Sequence, residues 1–179
     1  MNIVVFLQNA WSPHYAGRTW PRRFWLEALW NSRSGERLRT MMARYSFTGA
    51  EWWFDNTTPI VGDNPNSRVP ADPRHIRRVL GRRPWDAVVV CGTQARDAAV
   101  PLAHAQPAIL IVPHPAYRVL SNDLYAKVGD TLSMMNRDFV PVERVMTFSQ
   151  RRGRVETTPE RLLIHRSIHD AIGRIEASD

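Results

Sequence analysis

The sequence contains almost no cysteine and almost no lysine. Its single cysteine, Cys91, excludes an internal disulfide and also excludes a four-thiolate zinc or iron–sulfur site. No uninterrupted apolar run approaches the length that spans a bilayer, and the opening residues MNIVV lack the basic start of a signal peptide. We therefore expect a soluble, cytoplasmic protein without a cysteine-held cluster and without a membrane partner.

Arginine supplies nearly all of the positive charge. Lys127 is the one lysine among 24 basic residues, and the other 23 are arginines, which leaves the chain with a net charge of +7. Such a balance suits a polyanionic partner, because the planar guanidinium group matches phosphate. A genome biased toward arginine would produce the same composition, so the charge alone leaves nucleic-acid binding open.

The order of apolar segments predicts the fold class. At 179 residues, 44% of them hydrophobic, the chain is long enough for one well-buried core, and we expect a monomeric single domain. Short apolar runs alternate with helical patterns, and the right-handed crossover rule makes such strands parallel. The prediction is an α/β fold, a three-layer α/β/α sandwich with a central four-stranded parallel sheet. Its strands are residues 3–7, 52–54, 87–91 and 108–112, and its helices begin near residues 21, 36, 72, 93 and 122. Asp72 and Thr93 are the predicted N-caps of the third and fourth helices. The fourth helix is expected to end near Ala103, and the fifth to span residues 122–135.

The pattern changes after residue 136. Residues 1–136 are predicted to form the α/β core, and residues 137–179 to form a C-terminal extension packed on the same domain. The extension contains a predicted strand at 142–148, a basic turn at 150–154 and an amphipathic helix that opens at Thr158. The basic turn is either a contact for a DNA backbone or a solvated hairpin tip.

Polar loops follow three of the predicted strands. Asn9 lies after the first strand, Asn56 after the second and His114 after the fourth. Because ligands bind at the carboxyl ends of parallel strands, these loops occupy the usual place for a site. Pro113 and Pro115 fix the backbone on both sides of His114 and make its loop stiff. As alternatives, His114 could cap a helix or bond a backbone carbonyl, and Asn56 could stabilise an Asx-turn.

This set of loops resembles the uracil-DNA glycosylase superfamily. Those enzymes are four-stranded α/β/α proteins with an Asp or Asn after the first strand, an Asn after the second and a His-Pro-Ser loop after the last. The segment PHPAYR keeps His114 and its proline, has Ala116 in place of the serine, and places Arg118 where the single-strand-selective branch also has an arginine. The pattern is closest to that branch and to the thymine-DNA glycosylase-like branch.

The resemblance implies a role for each residue of the loops. Asn9 would position a water, His114 would stabilise the departing base, and Asn56 would pair with the edge of an extruded base. Aromatic residues near these loops, at Trp11, Tyr15 and Trp20, would contact that base. The predicted DNA-binding residues are Tyr117, Arg118, Arg151, Arg152 and Arg154.

The expected function is that of a monofunctional DNA glycosylase without metal or cofactor. It would extrude uracil or a modified pyrimidine, for instance a bulky glycosylated base of foreign phage DNA, and leave an abasic site. No lysine lies in the site loops, which disfavours a Schiff-base lyase step. Two alternatives are open: an inactive member that binds modified or single-stranded DNA, and an enzyme that processes nucleosides or nucleotides.

Overall fold

One mostly parallel sheet forms the centre of the molecule. The computed structural model describes residues 1–46, 48–103, 106–136, 145–151 and 154–159, and within them six strands pair across the sheet in the order 2-1-3-4-5-6. The first five strands are parallel, and the sixth is antiparallel to the fifth. In chain order the strands are β1 (Asn2–Leu7), β2 (Glu51–Asn56), β3 (Ala87–Cys91), β4 (Ile109–Val112), β5 (Val145–Arg151) and β6 (Arg154–Pro159).

Helices cover both faces of the sheet. The helices of the described residues are α1 (Arg22–Trp30), α2 (Arg33–Arg44), α3 (Pro73–Leu80), α4 (Thr93–Ala99) and α5 (Asn122–Met135). The apolar side chains of α1, α2 and α5 form one core with the sheet, and those of α3 and α4 form a second core on its opposite face. The predicted three-layer α/β/α sandwich is therefore confirmed.

The central strands are buried along their whole length. Every residue of β3 and β4 is buried, as are the last five residues of β1, in agreement with their continuous runs of Val and Ile. The bounds of β3 and α5 agree with the sequence prediction, and Asp72 caps α3 as predicted, accepting a hydrogen bond from the backbone N–H of Arg74 at 2.9 Å.

The sheet has six strands within the described part of the chain, so the predicted number of four is wrong. Residues Met146 to Arg151 of β5 pair in register with Arg154 to Pro159 of β6, and β5 pairs with β4. Thr158 and Pro159 therefore end an edge strand and do not open a helix. A threonine followed by proline resembles a helix start, but a proline is also tolerated at the end of an edge strand. The rest of the predicted helix, residues 160–175, lies outside the described residues.

The helix after β3 differs from the prediction at both ends. Gly92, with φ +92°, occupies the N-cap position that was predicted for Thr93, which is the first helical residue. The helix ends at Ala99 and not near Ala103. Pro101 explains the early end: Val100 still has helical angles, with φ −59° and ψ −45°, but the proline has no backbone N–H to continue the helical hydrogen bonds.

Candidate functional site

A cleft of about 1160 Å³ opens at the carboxyl ends of the parallel strands. Residues that follow β1, β3 and β4 line it together with the last residue of β2. In the strand order 2-1-3-4-5 the chain leaves β1 to one side and β3 to the other, so the cleft lies over the point where the topology reverses. Ligands of open α/β sheets bind at this switch point.

The cleft brings together most of the predicted site residues. Tyr15 is not part of the described lining, but its ring stacks on that of Trp20 with centroids 5.5 Å apart. Arg151 and Arg154 pair with each other where β5 ends and β6 begins and are not part of the described lining, and Arg152 lies outside the described residues. The predicted residues that line the cleft are Asn9, Trp11, Trp20, Asn56, His114, Tyr117 and Arg118.

His114 presents a neutral imidazole to the cleft. Burial lowers the pKa of His114 to about 4, so its ring is uncharged at neutral pH. The backbone N–H of Ala116 donates a hydrogen bond to Nδ1 of His114 at 3.2 Å. Since Nδ1 accepts, the ring proton lies on Nε2, and the group that remains for a ligand is the Nε2–H donor.

The stretch from β4 to His114 is fixed from two sides. The phenol of Tyr125 in α5 donates to the carbonyl of Pro113 at 2.6 Å. On the other side, Gly92 approaches His114 so closely that a β-carbon added at Gly92 would stand 3.0 Å from the β-carbon of His114. The imidazole therefore has a fixed position at the end of the strand.

A buried arginine holds the rest of this loop. Arg37 of α2 is only 4% exposed, and its guanidinium donates to the backbone carbonyls of Pro115, Tyr117 and Leu120. Its planar fork thereby ties together a loop that has no regular backbone pairing of its own. Arg37 is not among the residues predicted from the sequence, because an arginine in an amphipathic helix usually lies in solvent. Its position on the same stripe as the buried Leu38 and Met41 was the available signal.

Both asparagines of the site are bonded to one backbone residue, Ala10. The Nδ2 of Asn9 donates to the carbonyl of Ala10 at 2.9 Å. In the amide orientation that satisfies its neighbours, Oδ1 of Asn56 accepts from the N–H of Ala10 at 3.3 Å and from Nε1 of Trp25 at 3.1 Å. The end of β1 therefore places the two amides beside each other. Within the described residues, Oδ1 of Asn9 has no hydrogen-bond donor.

Aromatic rings form one wall of the cleft. The loop after β1 is held against residues 60–62 by isolated bridges, one of which joins Trp11 to Gly62. Trp11 is half-exposed at the rim, whereas Trp20 lies deeper. The indole N–H of Trp20 is buried and has no acceptor among the residues that the structure describes. A ligand with a hydrogen-bond acceptor would satisfy that donor.

The cleft carries an excess of positive charge. Arg33, Arg68 and Arg118 line it, are exposed, and have no hydrogen bond or ion pair to any described residue. The acidic residue of the described lining is Asp97, which Arg96 already pairs at 2.8 Å. The free guanidinium groups therefore favour an anionic ligand.

A half-buried carboxylate lies directly beside the site, on the other face of β2. Asp55 accepts from Trp53 at 3.1 Å and lies 3.0 Å from Nε2 of His75. Burial raises the pKa of Asp55, but its hydrogen bonds with His75, Trp53 and the backbone of Asn56 and its electrostatic interaction with His75 outweigh the burial, so the pKa lies below its usual range. Because side chains alternate along a strand, Asp55 faces α3 while Asn56 faces the cleft. No pattern in the sequence indicates this pair, whose members are 20 residues apart.

Comparisons of the chain with protein-family models, with curated proteins and with solved structures found no match. Among the described residues, no three His, Cys, Asp or Glu side chains are grouped so as to hold a metal ion. No helix in the same part of the chain has both the length and the apolar composition needed to cross a membrane.

Proposed function

We propose that the protein is a monofunctional DNA glycosylase that hydrolyses the N-glycosidic bond of an extruded pyrimidine. The observation that carries the proposal is the lining of the cleft, which combines a neutral imidazole, two amides, aromatic rings and unpaired arginines. Aromatic rings and amides suit a heterocyclic base, and guanidinium groups suit the phosphates that flank it. One cleft therefore offers groups suited to the base and groups suited to the phosphates of a nucleotide in DNA.

His114 would stabilise the departing base. When the bond between the sugar C1′ and the base nitrogen breaks, both electrons leave with the base, and negative charge spreads to its carbonyl oxygens. A fixed donor near such an oxygen lowers the barrier because its hydrogen bond strengthens as the charge develops. The Nε2–H of His114 is such a donor, since Nδ1 is occupied by Ala116.

Asn9 would position the water that completes the reaction. Its Nδ2 is bound to Ala10, so Oδ1 is the atom available to accept a hydrogen bond from water. The water oxygen bonds to C1′, and the proton that it loses is balanced by protonation of the released base. The products are a neutral pyrimidine and an abasic site, and no further reactant, metal or cofactor is required.

Asn56 and Trp20 would read the base. Because Oδ1 of Asn56 accepts from Trp25 and Ala10, its Nδ2 is the atom proposed to donate to a base carbonyl. The unpartnered N–H of Trp20 would donate to a second acceptor on the same ligand. Together with the Nε2–H of His114, these donors favour a pyrimidine with two carbonyl groups, as in uracil and its 5-substituted relatives.

The size of the cleft supports a bulky substrate. At about 1160 Å³ it reaches beyond the roughly 1,000 Å³ at the upper end of ordinary small-molecule pockets. A plain pyrimidine would leave much of this volume to water, whereas a glycosylated pyrimidine and its phosphates would fill more of it. We therefore propose modified pyrimidines, including those of foreign phage DNA, as substrates beside uracil.

Alkali treatment of reacted DNA tests the proposed activity. Oligonucleotides that contain uracil, and DNA that contains glucosylated pyrimidines, are incubated with the protein and then heated in alkali to cleave abasic sites. We expect scission at the target base, with a loss of at least 100-fold in His114→Ala and Asn9→Ala. Both variants should keep the melting temperature and the DNA affinity of the wild type within small limits. Binding of DNA without scission by the wild type would indicate an inactive DNA-binding protein instead.

An enzyme that processes nucleosides or nucleotides is the second candidate. The position of the cleft over the β1/β3 switch point favours it, because nucleotides bind there in other sheets of the order 2-1-3-4-5. Thermal stabilisation by mononucleotides, combined with no binding of oligonucleotides, would support this candidate over a glycosylase.

A further inference from the structure

A second basic surface lies outside the cleft, along α3. Arg74, Arg77 and Arg78 of this helix and Arg82 just beyond its end are all exposed, and we refer to these four residues as the α3 arginine surface. Arg74 and Arg78 are four residues apart and share one helix face, and Arg82 follows at the same spacing. Four guanidinium groups are therefore concentrated on one side of the molecule.

The acidic groups near this surface are already occupied. Asp55 is bound by His75 and Trp53, and Asp72 caps α3 through the backbone of Arg74. Glu51 is paired with Arg83.

No described carboxylate lies within ion-pair distance of the α3 arginine surface. The guanidinium of Arg78 instead contacts Nδ1 of His75 at 3.2 Å, a hydrogen bond that leaves its charge uncompensated. Like charges held together without counter-charges cost stability unless a ligand neutralises them.

Aromatic stacking fixes one member of the surface. The guanidinium carbon of Arg82 lies 4.5 Å from the ring centroid of Trp53, and that of Arg22 lies 3.7 Å from the same ring. A stacked guanidinium keeps its N–H edge free for phosphate and loses less side-chain entropy on binding. Such an arrangement is typical of a phosphate contact.

The surface begins at the edge of the cleft. Arg68 and Ala71 line the cleft, and α3 starts at Pro73. With a rise of 1.5 Å per residue, the helix axis is about 9 Å long from Arg74 to the end of α3 at Leu80, and Arg82 lies just beyond that end. One strand of DNA carries a phosphate every 3.4 Å along its axis, so this length corresponds to roughly two or three phosphates.

We propose that a nucleic-acid strand leaves the cleft past Arg68 and lays its phosphates along the α3 arginine surface. The proposal rests on the proposed function only in taking nucleic acid as the ligand of the cleft, and it does not depend on cleavage. It predicts that affinity increases with strand length beyond the few nucleotides that the cleft itself holds.

Binding of a short and a long oligonucleotide tests the proposal. Fluorescence anisotropy is measured for single strands of 6 and 30 nucleotides with the full chain, the double variant Arg74→Ala/Arg78→Ala and the control Arg39→Ala/Arg44→Ala. The control removes the same charge from exposed positions of α2, where Arg44 is ion-paired with Asp130. If the double alanine variant is unstable, a second double variant, Arg74→Gln/Arg78→Gln, removes the same charges and keeps the helix surface polar.

We expect the α3 pair to weaken binding of the long strand at least tenfold and to lower its salt slope by about 1.4, which is 0.7 for each lost phosphate contact. Its affinity for the short strand and both affinities of the control should stay at wild-type values. Unchanged binding of the long strand by the α3 pair would overturn the proposal and leave the cleft function intact. The same conclusion would hold if this variant lost binding to vesicles of anionic phospholipid while it kept wild-type binding of the long strand. If the wild type binds neither strand, the proposed function fails as well.

Discussion

Gly92 and His114 lie so close together that a β-carbon on Gly92 would stand 3.0 Å from the β-carbon of His114. Gly92 also has a φ of +92°, a conformation that residues with a β-carbon rarely adopt. Glycine is therefore required on two counts at the turn between β3 and α4. The position of the imidazole depends on the absence of a side chain there.

Replacing Gly92 should damage the site more than the backbone strain alone explains. We expect Gly92→Ala to lower the free energy of unfolding by about 1–3 kcal/mol and the alkali-detected activity at least tenfold, because His114 must move. Gly49→Ala is the matched control, since Gly49 has φ +84° and nothing within 4 Å of the new β-carbon. It should show a similar strain and full activity. Equal activity losses in the two variants would contradict the assigned contact.

Replacing Arg37 should destabilise the protein more than replacing Arg39, an exposed arginine of the same helix. We expect Arg37→Lys to lower the free energy of unfolding by about 2–4 kcal/mol in urea denaturation, because one ammonium group cannot reach the three loop carbonyls. Hydrogen exchange of the amides in residues 114–120 should accelerate in the same variant. Arg39→Lys, at an exposed position of α2, should stay within about 0.5 kcal/mol of wild type. Unchanged exchange in Arg37→Lys would show that the arginine does not hold the loop.

The low pKa of His114 predicts a specific pH dependence of stability. The folded pKa is about 4 and the ordinary value is 6.5, so the unfolded chain takes up the proton first as the pH falls. Stability is therefore lost from about pH 6.5 downward, and the loss attributable to His114 is complete below about pH 4, at roughly 3 kcal/mol. Urea unfolding of wild type and His114→Gln at pH 7.5 and pH 4 should show this difference, because the other titrating groups are common to both proteins. Parallel losses would contradict a buried neutral imidazole.

Replacement by phenylalanine should destabilise the protein less at Trp20 than at Trp25, two tryptophans that line the cleft. Trp20→Phe removes a buried donor that has no acceptor, so we expect a free energy of unfolding within about 1 kcal/mol of wild type and several-fold weaker binding of substrate DNA. Trp25→Phe removes the donor to Asn56 and should cost about 1–3 kcal/mol. Comparison of the two melting curves checks the assignment. It would be wrong if Trp20→Phe were the less stable variant.

The layers of the fold and the lining of the cleft could be predicted because both depend on local patterns. Continuous runs such as residues 87–91 have the composition of buried parallel strands, and the topology then brings the loops after β1, β2 and β4 to one edge. The roles assigned to Asn9, Asn56 and His114 remain proposals that the activity assay decides.

What could not be predicted depends on partners distant in sequence. The strand at residues 154–159 exists because β5 offers it a free edge, and its own residues resemble a helix start. Arg37 is buried because a loop about 80 residues later supplies carbonyl acceptors. Asp55 likewise gains its partner His75 only when α3 packs on the sheet. The local sequence around each of these residues does not indicate which distant residue it will contact.

The central place of β1 in the sheet affects how the chain acquires its fold during synthesis. Ile3 pairs with Trp52 on one side and with Ala87 on the other, so β1 is synthesised before both of the strands with which it pairs. Pairing between strands so far apart in the sequence slows folding. Until its partners are made, an unpaired strand of Ile, Val, Phe and Leu is prone to aggregate. A nascent chain halted before residue 87 would therefore be a client for chaperones.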